Sequence, residues 1–158
     1  MMEKAHRCGF TLVEAVLAVT IIALLAAFIV PAVNLATRSR ENGQAARKLQ
    51  TAVEALELYA SERGDYPADV NRGIIPPEMA EYYFPYYKID WWDDVTELGG
   101  QWDWGHNQLG ATATVAIVAP TRSTGQMTEF DRLIDDGNLN TGKFRYDGDK
   151  HYYYIIQE

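Results

Sequence analysis

From Phe10 to Val33 the chain reads FTLVEAVLAVTIIALLAAFIVPAV, an apolar run interrupted by one charge, Glu14, and two hydroxyls, Thr11 and Thr20. A helix of this length, at ~1.5 Å per residue, spans roughly 36 Å, more than the ~30 Å hydrocarbon core of a bilayer. The run predicts a single membrane helix. Ahead of it lies MMEKAHRCG, where Lys4 and Arg7 form a small positive cap. Such a cap keeps its end on the cytoplasmic side and puts the bulk of the chain across the membrane. A secretory signal cleaved after Ala32 is the plain alternative. Against it, the run exceeds the usual ~7–15 apolar residues of such signals and carries an acid near its start.

Glu14 decides between two readings of the segment. An ionised carboxylate inside lipid is costly, so such residues are usually paired and functional. The bland alternative places Glu14, four residues into the run, near the interface where it reaches water.

The rest of the chain is able to fold. Its 158 residues fit one ordinary domain of ~100–200 residues. The composition, 47% hydrophobic and 23% charged, argues against a disordered tail. With 14 Lys+Arg against 22 Asp+Glu the net charge is −8, and no basic cluster lies beyond the N-terminal patch. Nucleic-acid binding through phosphates is therefore not expected. The single cysteine, Cys8, allows no intramolecular disulfide, and His6, His106 and His151 stand in no metal-ligand spacing.

The string Gly9-Phe10-Thr11-Leu12-Val13-Glu14, behind a short basic leader and ahead of an apolar helix, resembles the signal of type IV pilins and type II secretion pseudopilins. The resemblance implies cleavage between Gly9 and Phe10 by a membrane-embedded prepilin peptidase, with methylation of the new Phe10 amine. Glu14 stands where that family places its glutamate, and Pro31 where many members carry a helix-breaking proline. Physical chemistry makes sense of each part. Glycine lets backbone enter a peptidase site closely. The freed amine of Phe10 is a cation that the Glu14 carboxylate of a neighbouring subunit could neutralise, and the resemblance implies that this pair sets register in a filament. Pro31 removes a backbone donor, so the helix is expected to kink or loosen just before it. Leader removal would also discard Cys8.

Beyond the membrane segment, apolar Leu35, Ala45, Leu49, Ala52, Val53, Leu56, Tyr59 and Ala60 recur at helical spacing, with charges on the other face. Residues 34–64 are expected to form an amphipathic stem, with Gly64 as C′ stop and Pro67 beyond it. The segment Ala45–Pro67, ending in Gly64-Asp65-Tyr66-Pro67, also resembles major pseudopilins.

Residues 65–158 are expected to form a globular head. Pro76-Pro77 opens a short helix or turn, Gly99-Gly100 marks a turn, and Ala111–Ala119 is apolar and β-branched enough for a buried strand. Thr128 is expected to cap a short helix ending at Gly137. Lys143–Tyr146 and His151–Ile156 flank an Asp147-Gly148-Asp149 turn as a hairpin. The fold class is thus α+β and pilin-like: a leader (1–9), a membrane helix (10–33), a stem helix (34–64) and a small antiparallel-sheet head.

Three head features invite sharper readings. Tyr82, Tyr83, Phe84, Tyr86, Tyr87, Trp91, Trp92, Trp102 and Trp104, beside several acids, could be a carbohydrate platform, but such residues more often fill a small core. Asp135-Asp136-Gly137-Asn138-Leu139-Asn140 is oxygen-rich in the way calcium sites are. It lacks the spacing and acidic last position of an EF-hand, and reads better as a helix stop followed by an asparagine turn. No metal ligand and no cofactor is assigned. No nucleophile, base and orienting group stand together in a recognised motif, so no catalysis is expected.

The resemblance implies a structural subunit of a type II secretion pseudopilus, or of a type IV pilus serving adhesion, motility or DNA uptake. Its implied partners are copies of itself, the prepilin peptidase, the inner-membrane assembly platform and minor pseudopilins. Its implied location is the bacterial inner membrane, with the head in the periplasm. A membrane-tethered binding module with an aromatic-rich head is the competing class.

Overall fold

The computed structural model describes residues 11–158. The fold is α+β and pilin-like: a long N-terminal helix, α1 (Leu12–Arg63), and a small antiparallel sheet. The chain divides into two compact units whose boundary follows Arg38, inside α1.

In the first unit, α1 is apolar and unburied. Leu12, Val16, Leu17, Ile21, Phe28 and Val33 are all exposed in the isolated chain. The helix continues through Pro31 without interruption. The proline ring fixes φ near the helical value, and one missing N–H donor costs a long helix only one of its many bonds.

In the second unit, one face of α1 enters the core. Asn42, Ala45, Leu49, Ala52, Ala55 and Leu56 are buried, at the three- and four-residue spacing that puts them on one side of a helix. Small residues at 45, 52 and 55 leave room for large ones opposite. Trp92, Trp102, Trp104, Phe130, Phe144 and Tyr152 belong to the same cluster. Gly64 ends the helix at φ 84°, its N–H donating to the Ala60 carbonyl at 2.8 Å. The corner that follows is held on the sheet: Trp104 Nε1 donates to the Pro67 carbonyl at 3.1 Å, and the Tyr66 and Trp104 rings lie 5.7 Å apart.

Two one-turn helices follow, α2 (Pro77–Ala80) and α3 (Tyr83–Tyr86). They seat Met79, Tyr83 and Phe84 in the core. The sheet consists of β1 (Gln101–Gln108), β2 (Ala111–Val118), β3 (Phe144–Tyr146) and β4 (His151–Gln157), ordered β1-β2-β4-β3 and antiparallel throughout. Leu109 and Gly110, both at positive φ, join β1 to β2 in a two-residue turn, the geometry that matches strand twist. Alternation along β1 sends Trp102 and Trp104 into the core and leaves Gln101 and Asp103 on the other face. On that second face, Ala116, Tyr153 and Ile155 form a smaller apolar cluster with Ala111.

Between β2 and β3 lies α4 (Thr124–Ile134). It starts earlier than expected. Ser123, not Thr128, is the N-cap and accepts the Gln126 N–H, while the Thr128 hydroxyl turns back onto the Thr124 carbonyl inside the helix. The helix also stops at Ile134 rather than Gly137.

Candidate functional site: the amino-terminal segment

Of the residues singled out from sequence, Gly9 and Phe10 lie outside the described residues, whereas Glu14 and Pro31 both lie on α1. They are not brought together, being separated by roughly 25 Å of helix at ~1.5 Å per residue. Each therefore stands at its own level along the segment.

At the start of α1, Thr11 is the N-cap and Glu14 occupies the third helical position. The Thr11 N–H and hydroxyl donate to Glu14 Oε2 at 2.9 and 2.8 Å, and Thr11 Oγ1 lies 3.3 Å from the Glu14 N–H that it accepts. This is a capping box, which satisfies helix-end donors reciprocally. Its sequence signature is a threonine followed three residues later by glutamate before an apolar run. The acid at the N-terminus also faces the positive end of the helix dipole. Within one chain, Glu14 is thus a hydrogen-bonded carboxylate before it meets any neighbour.

The second hydroxyl of the run is equally satisfied. Thr20 Oγ1 donates to the Val16 carbonyl at 2.7 Å, the usual way a helix carries threonine through an apolar medium. The remaining side chains offer only apolar surface. Among the described residues, α1 alone is long and apolar enough to cross a membrane, with a mean hydropathy of 2.8 in its most apolar window and none of that window buried. What such a segment can do chemically is limited. It can dissolve in lipid or pack against others like it, and it can pair one carboxylate with a cation near its N-terminal end.

One family model matches this part of the chain. Residues 4–30 match the prokaryotic N-terminal methylation motif. The matched span contains Gly9, Phe10 and Glu14 and stops one residue short of Pro31. The stem and head lie outside it. No curated protein and no solved structure matches the chain.

The head offers no rival centre of comparable definition. Its aromatic run is largely core: Trp92, Trp102, Trp104 and Phe84 are almost fully buried, and only Tyr82 and Tyr86 present large exposed faces. Trp92 Nε1 is spent on the Ile74 carbonyl at 3.0 Å. Lys48 pairs with Glu97 at 2.7 Å and lies 5.0 Å above the Trp91 ring, covering part of what remains. A polar cleft lined by Asp69, Arg72, Gln101, Asp103 and His151 holds one perturbed acid. Burial pushes Asp103 up to about 6, Asp69 adds to the rise, and His151 and Arg72 oppose it. The lining contains no serine, threonine, cysteine or lysine to act as nucleophile.

Proposed function

We propose that this chain is a filament subunit of the type IV pilin-like class, matured by a prepilin peptidase and working by assembly rather than turnover. The observation that carries the reading is the N-terminal methylation motif laid over an unburied apolar helix. In this reading, cleavage after Gly9 frees the Phe10 amine and its methylation follows. The helix stays in the inner membrane with the head in the periplasm until assembly bundles the apolar segments into a filament core. Glu14 then neutralises the amine of a neighbouring subunit, and that pairing sets the register. Pro31 marks where the helix can extend once neighbours pack around it.

Within that class, the pseudopilus of a type II secretion system is the finer reading. Its support is the resemblance of Ala45–Pro67 to major pseudopilins, including the Gly64-Asp65-Tyr66-Pro67 corner. Growth of such a filament would push folded proteins through an outer-membrane channel, with the assembly platform and minor pseudopilins as partners.

The test is assembly in a host that carries the matching secretion machinery. Overproduced wild-type chain should appear in sheared filaments recognised by an antibody to the head. Filaments that vanish when the secretion platform is deleted support the pseudopilus. Filaments that depend instead on pilus machinery would reassign the chain to a pilus, and no filament under either condition would overturn the structural role.

A further inference from the structure

Within the head, α1 has two unlike surfaces on its two flanks. At ~3.6 residues per turn, Ala46, Gln50 and Val53 fall to one side of the buried stripe and Lys48 to the other. On the first side lies an open groove of about 510 Å³, floored by Gly43, Ala46 and Val53 with Leu133 and Tyr154 facing them. Leu133 is 56% exposed there. The Arg47 guanidinium lies on the rim beside Gly43, and Arg47 makes no ion pair among the described residues. On the second side, Lys48 pairs with Glu97 and lies over Trp91, both in the loop between α3 and β1. That loop lifts Val95 into solvent, 71% exposed, directly after the exposed Asp93 and Asp94. The loop is built and cannot fold the valine away. Val95 bridges Gln101, the Asp94 N–H donates to the Trp91 carbonyl at 3.2 Å, and the buried Thr96 hydroxyl donates to the Gly99 carbonyl at 2.6 Å.

We propose that the 93–95 knob of one copy docks in the groove of the next, with Val95 on the apolar floor and Asp93 and Asp94 against Arg47. The choice of a second copy as occupant rests on the filament reading above. The signs match, since two carboxylates without a side-chain partner among the described residues meet a guanidinium equally without one. Two chains of net charge −8 repel over most of their surfaces, so an open cation beside an apolar groove is where an acidic knob is drawn. Burying Val95 and Leu133 together removes apolar surface that the isolated chain leaves in water. Knob and groove sit on different flanks of one helix, so the contact is heterologous. Each copy gives its knob to one neighbour and its groove to another, and the series does not close on a pair.

The experiment uses the full chain with Cys8→Ser, both as sheared filaments and concentrated in detergent, and a short bis-maleimide cross-linker. Gln50→Cys combined with Val95→Cys should give a ladder of dimers, trimers and higher species, because each copy then carries both halves of the contact. Either cysteine alone should give almost none. Arg47→Glu in the double-cysteine chain should cut the ladder about fivefold or more, and adding Asp93→Lys and Asp94→Lys should return about half of it or more. All five positions are exposed, so the head's Tm should stay in place and separates lost docking from misfolding. A ladder that Arg47→Glu leaves intact, or one that the added lysines do not restore, overturns the contact. Filaments that form without the ladder overturn it and leave the filament reading standing. A ladder in detergent from a chain that never forms filaments supports the contact and counts against the filament reading.

Discussion

Thr11 and Glu14 cap each other at the first turn of α1, with both the N–H and the hydroxyl of Thr11 on one oxygen of the Glu14 carboxylate. The relationship changes what the acid in the apolar run means. A bare carboxylate there would favour leaving the membrane, whereas a capped one is already partly compensated by its own chain. Pairing with a neighbour's amine then adds to an existing arrangement.

Thr11→Val tests the cap itself. The substitution keeps a β-branched side chain and removes the hydroxyl. In detergent micelles the Glu14 amide should exchange with solvent several-fold faster, while membrane insertion stays unchanged. Unaltered exchange would mean that the reciprocal bond contributes nothing to holding the first turn.

Glu14→Ala separates insertion from assembly. Removing the charge should leave the amount of membrane-inserted chain equal or higher. Filament recovery should fall severely, and Glu14→Gln should fail to restore it, because the proposed register depends on charge. A normal filament yield from either variant would remove Glu14 from the assembly mechanism.

Leu56→Ala addresses the head. Leu56 is fully buried where α1 meets the core cluster. Truncating such a residue costs about 2–5 kcal/mol, the spread reflecting how far the site collapses. Chemical denaturation of the full chain in detergent, followed by tryptophan fluorescence, should show a loss in that range with an unchanged slope. Leu35→Ala, at an exposed position of the same helix, should leave the head's midpoint in place.

Asp103 carries a pH dependence of defined sign. Its native pKa, about 6, exceeds the ordinary value of 3.8, so between those limits the native state binds more protons than the unfolded chain. This group's contribution is therefore greatest at low pH, declines as pH rises through that window and is fully lost above it. Carboxylates held low, such as Asp136 with its Thr141 and Asn138 donors, act in the opposite direction. The clean observable is the difference between Asp103→Asn and wild type. The variant should gain relative stability from pH 4 to pH 6 and keep that gain above, and a pH-independent difference would show that Asp103 is not perturbed.

The sequence carried some parts of this architecture more clearly than others. Gly64 and Pro67 announce the end of α1 because only particular residues suit a left-handed C′ position and a chain that must turn away. The β3–β4 hairpin is legible in Asp147-Gly148 for the same reason. The start of α4 is ambiguous in the sequence because Ser123 and Thr128 are both acceptable caps, and only the burial of Gln126 and Met127 chooses between them. The capping box is local and legible in the spacing of Thr11 and Glu14 alone. Nothing in the pattern could reveal that Trp104 reaches the Pro67 carbonyl, because that contact depends on how the sheet and the helix end come together.

The central claim is that the N-terminal segment is a processed assembly signal. Its most direct test is the intact mass and N-terminal sequence of the chain extracted from its native membrane. The account predicts a chain that starts at Phe10 and carries one added methyl group. A chain that still starts at Met1, or one that starts near Val33, would contradict it.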